Sequence, residues 1–495
     1  MKAKKIFKGM TAAAIAAVLT ASMVPMTAFA AEQLTTNTQE ITFSTATAEE
    51  GQTVQYKIYT VATATVAAGG TTYDYTITTP FASYTVDQIA AVDSTNASEM
   101  KTLADGLATL ATGTADYTVN AGDKQALAPG YYLILTTGTQ MTGAPILLSV
   151  RSDSTVGTVN AKTSDITFNK TIETVTASTT GTGSTGGTVG TDKDTAQVSI
   201  GSTVSYKLAT KFPNYAETID ADDMTEYSIT DIPSAGLTLV DKDNDTTLSK
   251  GDFVVTVDGT ATTDYTLTQS GNGFKISFAN AFVLTNKTKD VVVTYDATVN
   301  ENAVVGTAGN SNTAKLVFDN NYYEGGSSKE IPDEGKVFTT KLVVNKTFSG
   351  FTKTEENSYP VAEFTLYKAD GTTEVAKDST KVNDNTIEFK GLAAGIYVLK
   401  ETSTPGGYKT ADPVTIEIKA NGETKYDGTY TFTNANMDTD NTYGTATVIN
   451  VAGQSLPGTG GMGTTIFTIA GVGVVLVAGA MLVVYMRKRR TEDEE

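Results

Sequence analysis

Tyr397-Val-Leu-Lys-Glu-Thr-Ser-Thr-Pro-Gly-Gly-Tyr408 reads as the end of a β-strand that runs into a turn. Tyr, Val and Leu suit a pleated, half-buried strand, whereas Pro-Gly-Gly stops one. Glu401 stands where the strand gives way. The lead-in, Leu392-Ala-Ala-Gly-Ile-Tyr-Val-Leu399, repeats an earlier stretch, Leu127-Ala-Pro-Gly-Tyr-Tyr-Leu-Ile134. Working outward, Ile166-Thr-Phe-Asn-Lys170 repeats Ile41-Thr-Phe-Ser-Thr45, and Leu342-Val-Val-Asn-Lys346 repeats it more loosely. Gly51-Gln-Thr-Val-Gln-Tyr-Lys-Ile-Tyr-Thr60 returns as Gly201-Ser-Thr-Val-Ser-Tyr-Lys-Leu-Ala-Thr210. Internal repetition of this kind divides a chain into modules, here about 31–162, 163–330 and 331–452, each opening with a similar strand.

Between the repeats the chain alternates, as in Tyr73-Asp-Tyr-Thr-Ile-Thr78 and Val291-Val-Val-Thr-Tyr-Asp-Ala-Thr-Val299, with Gly, Asn and Asp at the breaks. Period two with such turns predicts an all-β chain of tandem immunoglobulin-like sandwiches. The first module should add one helix, with Met100, Leu103, Leu107 and Leu110 on its packed face. Two segments read as loops: Thr176–Thr191, rich in Thr, Gly and Ser, and the polar Tyr322–Val337 between modules two and three.

The ends of the 495-residue chain are of another kind. Lys2, Lys4, Lys5 and Lys8 precede an apolar stretch to about Val24, and Ala28-Phe-Ala30 closes it. That is the pattern of a signal peptide over residues 1–30, with a mature start near Ala31. At the other end, Thr464–Met486 is an apolar run of 23 residues followed by Arg487-Lys-Arg-Arg490. It is long enough to span a bilayer, and the basic tail holds its end in the cytoplasm. Leu456, Pro457, Gly458, Thr459 and Gly460 stand just before it. Residues 31–459 hold 28 basic and 51 acidic residues, a net charge of −23. Such a surface excludes electrostatic binding of nucleic acid or anionic lipid. Cys and His are absent. Disulfides, thiol nucleophiles, histidine bases and Cys/His metal sites are therefore excluded, and an enzyme acting on an external substrate has no supporting motif.

The order LPxTG, apolar span, basic tail resembles the cell-wall sorting signal of Gram-positive surface proteins. Tyr397–Tyr408 resembles the E-box, YxLxETxxPxGY, of Cna-B-type domains, and Phe364-Thr-Leu-Tyr-Lys368 also fits that family. Together they make the chain similar to sortase-assembled pilins of the SpaA type. The resemblance implies cleavage between Thr459 and Gly460 by a sortase, with the membrane span a temporary holding device. It also implies intramolecular Lys–Asn isopeptide bonds, each assisted by a buried acid. In module three Lys346, Asn450 and Glu401 match these roles. In module two Lys170, Asp231 as the acid and Asn312 match, with Asn310 a near rival to Asn312. Module one has Thr45 and Thr136 at the positions of the lysine and the acid, so no bond is expected there.

The chemistry needs these residue types. A lysine attacks only when neutral, and burial disfavours its charge. Burial also keeps a carboxyl protonated, ready to polarise the amide. Folding holds amine and amide in contact, ammonia leaves, and neither cofactor nor outside enzyme is required. Lys162, eight residues before Lys170, is by the same resemblance the exposed lysine that attacks the Thr459–sortase intermediate of another subunit. Repetition would give a head-to-tail fibre. The alternatives are an anchored adhesin or a basal or minor pilin that does not polymerise, with Lys162 an ordinary surface lysine. Implied partners are sortase, identical subunits, minor tip and basal pilins, peptidoglycan, the membrane in passing, and a host-surface ligand. Lastly, Asp241, Asp243, Asp245 and Asp252 carry the acid spacing of an EF-hand loop, but Thr246 replaces its glycine and no helix flanks it. A polar turn is the commoner reading, with calcium the alternative.

Overall fold

The computed structural model describes residues 34–44, 54–137, 141–153, 156–160, 163–177, 185–215, 219–321 and 327–453. The signal peptide, Thr45, Lys162, the sorting motif Leu456–Gly460 and the apolar run Thr464–Met486 lie outside them. The architecture is all-β and multi-modular, a series of immunoglobulin-like sandwiches.

In the N-terminal region the strands Tyr73–Ile77, Gln55–Val66, Gly130–Thr137 and Ile146–Val150 form one sheet, with Tyr117–Asn120 also paired to Gln55–Val66. One face is covered by the helix Ala97–Leu110, whose Leu103 and Leu107 pack on Tyr59, Val61, Leu133 and Leu135. The other face meets Ile41 and Phe43, from the Gln39–Thr42 strand and the bridge that follows it. This double cover explains why Tyr131-Tyr-Leu-Ile-Leu135 is apolar without alternation: every residue of it is buried. Asn96 caps the helix by accepting from the Ser98 and Glu99 amides. A second, short helix, Val86–Ala90, precedes it, closed by a Thr85–Gln88 capping box.

The middle region is a sandwich of two sheets. One runs Asn169–Thr176, Thr203–Lys211, Asp290–Val299, Val254–Val257 and Thr260–Ala261, and Leu237–Leu239 also joins the third of these. The other runs Gly187–Val189, Thr195–Val198, Ser327–Phe338, Asn310–Asn321, Tyr227–Pro233, Gly273–Phe278 and Thr266–Ser270. Strict alternation along Thr203–Lys211 and Asp290–Val299 sends Val204, Tyr206, Leu208, Val291, Val293 and Tyr295 into the shared core.

The segment Tyr322–Val337 departs from the loop expected of it. Ser327–Phe338 is a strand, paired antiparallel with Asn310–Asn321 and, through Lys336–Phe338, parallel with Thr195–Gln197. A module boundary at 330/331 would cut through it. Its polar sequence hides the strand because only Ile331, Val337 and Phe338 carry apolar side chains into the interior. Pairing with a long neighbour supplies what its composition lacks. Likewise Gly187–Val189, inside the Thr176–Thr191 segment read as loop, is a short strand on Thr195–Val198.

The C-terminal region sets Thr386–Leu392, Thr340–Phe348, Gly444–Asn450 and Asn436–Met437 against Glu374–Ser379, Glu363–Lys368, Gly395–Ser403, Val414–Ala420 and Tyr430–Phe432. First and last strands pair in parallel, Lys346 opposite Val448 and Phe348 opposite Asn450. The N-terminal region repeats this in miniature, with a parallel bridge between Phe43 and Val159. The shared Leu-Ala-x-Gly-x-Tyr repeat has one physical use in both regions. Tyr132 donates to the Ala128 carbonyl and Tyr397 to the Ala393 carbonyl, each at 2.8 Å and each four residues back.

Candidate functional site: two closed lysine clusters

Lys170 enters the middle core from Asn169–Thr176 and is fully buried. Asp231 and Asn312 reach it from Tyr227–Pro233 and Asn310–Asn321, strands of the facing sheet, and are also fully buried. The Lys170 ammonium donates to Asp231 Oδ2 and, at 2.6 Å, to the Tyr295 hydroxyl. Tyr295 donates to Asp231 Oδ2 at 2.5 Å and accepts from Asn312 Nδ2 at 2.9 Å. The rings of Tyr206 and Tyr295 flank the amine at 4.8 and 5.3 Å. Gly335 lets the overlying strand approach: a Cβ there would stand 3.2 Å from the Tyr206 ring.

Electrostatics follow from this closure. Burial pulls the Lys170 amine below the ordinary lysine range, against the opposing pull of Asp231. Burial likewise pushes the Asp231 carboxyl up, again against its partner. Both shifts favour the neutral pair, amine beside carboxylic acid, over the ion pair. Asp231 Oδ1 and Asn312 Oδ1 are buried without a hydrogen-bond partner, so the amide carbonyl awaits a donor. Asn310 faces elsewhere: its side chain exchanges hydrogen bonds with the Val304 backbone.

The C-terminal cluster is wired differently. Lys346 is fully buried, donates to the Thr347 carbonyl at 2.7 Å and the Val448 carbonyl at 3.3 Å, and lies 4.1 Å over the Phe348 ring. Burial lowers its pKa to about 8, with the Glu401 charge acting in the opposite direction. Asn450 donates to Glu401 Oε2 at 2.7 Å and to the Lys409 carbonyl at 2.6 Å. Glu401 also accepts from the Ala411 amide, in the turn after the E-box-like strand, at 2.7 Å. Glu401 Oε1 and Asn450 Oδ1 are buried and unpartnered.

In the N-terminal region Thr136, at the position of Glu401, is buried with its hydroxyl unpartnered. Tyr295 and Tyr206 escaped the sequence reading because tyrosine is an ordinary strand residue. The signal that exposes them is their place in the inward-facing rows.

The acidic loop gathers carboxylate oxygens of Asp241, Asp243 and Asp252 within 4.8 Å of one another; Asp245 is not in the group. These oxygens are largely engaged by the loop's own amides. Asp241 accepts from Asp243, Asn244 and Thr246, and buried Asp252 accepts from Lys242 and Ser249. Thr246 adopts φ +74°, the left-handed conformation an EF-hand gives to glycine. The loop is a self-capped polar turn, and the cluster carries no further indication of a metal.

Residues 349–436 match the SpaA prealbumin-like fold domain, and residues 449–493 match the LPXTG cell wall anchor motif. The chain is 28% identical over 271 residues to the trypsin-resistant surface T6 protein of Streptococcus pyogenes serotype M6, a match spanning 50% of this chain and 49% of that one. It thus spans about half the length of the curated relative it matches. Its fold resembles the T6 backbone pilin of serotype M6 Streptococcus pyogenes, a modular three-domain structure, with a TM-score of 0.56 at 17% identity over 84% of this chain and 98% of that one. It also resembles the major pilin SpaD of Corynebacterium diphtheriae, with a TM-score of 0.50 at 16% identity over 85% and 98%. Residues 349–436 thus match a SpaA-type domain, residues 449–493 match a cell-wall anchor motif, and the fold resembles that of modular pilins.

Proposed function

We propose that the chain is the backbone subunit of a covalently polymerised cell-wall pilus. The observation that carries this reading is the pair of closed lysine–acid–asparagine clusters in a chain that ends in a wall anchor. On this reading the signal peptide 1–30 is removed, and the modules run about 31–162, 163–338 and 339–452. The sorting signal and membrane segment follow as 453–495. Lys170 condenses with Asn312 under Asp231, and Lys346 with Asn450 under Glu401. The N-terminal module is not cross-linked.

These bonds suit a load-bearing shaft. Lys346 and Asn450 are 104 positions apart, and Lys170 and Asn312 are 142 apart. By the chain-entropy model used for disulfides, each closure stabilises by about 5 kcal/mol. Tension on the chain meets each bond before the strands between its ends can unzip.

Sortase cleaves after Thr459 and passes the acyl group to Lys162 of the next subunit, repeating head to tail. The last subunit is joined to peptidoglycan, and minor tip and basal pilins complete the partner set. The subunit is a substrate of sortase and is itself structural, since each internal bond forms once. The test is a denaturing gel of cell-wall extract. Wild type should give a ladder of detergent-resistant, high-mass species, and Lys162→Ala should abolish it. A single anchored band in wild type would instead identify a non-polymerised adhesin or basal pilin.

A further inference from the structure

We propose that Tyr295 is a catalytic group of the middle-module cross-link, relaying a proton from Asp231 to the departing nitrogen of Asn312. The inference rests on the isopeptide reading above and assigns a reacting role to a residue that reading does not need.

Three observations converge on it. The first is the wiring. A phenolic hydroxyl has one hydrogen to give and two lone pairs to offer. Tyr295 gives its hydrogen to Asp231 Oδ2 and takes hydrogens from Lys170 Nζ and Asn312 Nδ2. Acid, nucleophile and leaving group therefore meet at this one oxygen, and its capacity is fully used.

The second is rigidity. The ring stacks on Tyr206 at 5.5 Å and 17°, and meets Phe274 edge-on at 4.9 Å. The hydroxyl is thereby held in place without help from the polar partners. Burial holds its pKa well above the ordinary tyrosine range, so it carries the proton that the relay requires.

The third is the contrast with the C-terminal cluster. There Glu401 Oε2 takes the Asn450 Nδ2 hydrogen bond itself, at 2.7 Å. In the middle module the tyrosine hydroxyl takes the equivalent bond and stands 2.5 Å from the acid. In the C-terminal module the carboxylate itself takes the amide N–H; in the middle module a phenol beside the carboxylate takes it.

The step balances as follows. Lys170 first passes a proton to Asp231, leaving a neutral amine and a carboxylic acid. The amine lone pair forms the new C–N bond at the Asn312 carbonyl carbon. As the bond to Nδ2 breaks, Tyr295 gives its hydroxyl proton to Nδ2 and recovers one from the Asp231 acid. The Asp231 carboxylate then takes the surplus proton from the attacking nitrogen. The products are one amide and one ammonia, with Tyr295 and Asp231 restored.

The test uses residues 31–459 recovered unfolded, refolded, and followed by intact mass and peptide mapping over time. Wild type and Tyr295→Phe are compared. Phenylalanine keeps the ring contacts and removes the hydroxyl with its hydrogen bonds to Lys170, Asp231 and Asn312, so the proton inventory below separates relay from positioning. The Lys170–Asn312 bond should slow by about 10²–10⁴-fold in Tyr295→Phe, the range of acid–base assistance. The Lys346–Asn450 bond in the same chains should keep its wild-type rate. A middle bond formed at the wild-type rate in Tyr295→Phe overturns the proposal. Wild type also carries a readout that needs no variant. Bond formation in mixtures of light and heavy water should show a curved proton inventory for the middle bond and a linear one for the C-terminal bond; two linear plots overturn the relay. A wild-type chain that never forms the middle bond contradicts the isopeptide reading itself, a different failure from either of these.

Discussion

The middle and C-terminal modules bury a lysine in opposite ways. In the middle module Lys170 sits on one sheet while Asp231 and Asn312 sit on the other, and the amine is held by a carboxylate and a phenol. In the C-terminal module Lys346 and Asn450 sit on neighbouring parallel strands of one sheet, and the acid arrives from the facing sheet. That amine rests on backbone carbonyls and an aromatic face. The difference teaches that the proposed reaction constrains only what must meet: an uncharged amine, an amide and an acid in a dry pocket. How the strands deliver them is free. It also separates two routes to a neutral amine. Lys170 can hand its proton to a partner inside the pocket, whereas Lys346 is lowered mainly by burial and must release its proton to solvent.

The largest expected effect is on folding. Asp231→Ala removes the acid needed for the middle bond, forfeiting about 5 kcal/mol, and strands a buried lysine at a further cost of about 3–5 kcal/mol. The middle module of this variant should fail to fold, seen by calorimetry as a lost transition. Glu401→Ala forfeits the bond and the hydrogen bonds Glu401 accepts from Asn450 and the Ala411 amide, but it strands no lysine, because Lys346 makes its hydrogen bonds to backbone carbonyls. The C-terminal transition should survive but fall by on the order of 20 °C or more. Equal losses in the two variants would break the comparison.

Next comes the pH dependence of bond formation after refolding. With its pKa near 8, Lys346 should react about tenfold faster for each pH unit gained below 8 and level off above it. Proton transfer within the Lys170–Asp231 pair takes up no proton from solvent, so the middle bond should form at a rate nearly independent of pH. Peptide mapping of timed samples reads both rates from one refolding mixture.

A smaller effect appears in Asn450→Ala, which leaves Lys346 a free amine. Its folded-state pKa lies below the ordinary lysine value, so between about pH 8 and 10 the unfolded chain binds more protons than the folded one. Stability of that module should therefore rise with pH across this window and be lowest beneath it. A melting temperature that falls from pH 8 to 10 would contradict the assignment.

The smallest effect concerns the module with neither group. Thr136 hides a hydroxyl without a partner. Thr136→Val should stabilise the N-terminal module by up to about 1 kcal/mol, as a modest rise in its melting transition, and create no cross-link.

Much of this was legible in the sequence because repetition and burial speak together. Lys170 and Lys346 close recurring strand patterns that otherwise face inward, and Glu401 ends a motif whose turn holds it by the Ala411 amide. The all-β sandwich class followed from period two. What was not legible depended on contacts between distant strands. Tyr295 looks like any strand tyrosine until Asp231 and Asn312 are brought from the facing sheet. Ser327–Phe338 looks like a loop until Asn310–Asn321 pairs with it along nearly its whole length. The short helix Val86–Ala90 is too brief for a periodic signal, and its Thr85–Gln88 box was the cue.

The central claim is tested most directly by the intact mass of folded residues 31–459, followed by mapping of linked peptides. The account predicts a chain lighter than its composition by two ammonias, with one junction joining Lys170 to Asn312 and the other joining Lys346 to Asn450. A mass equal to the unmodified composition would contradict it outright, and a loss of three ammonias would contradict the assignment of an unlinked N-terminal module.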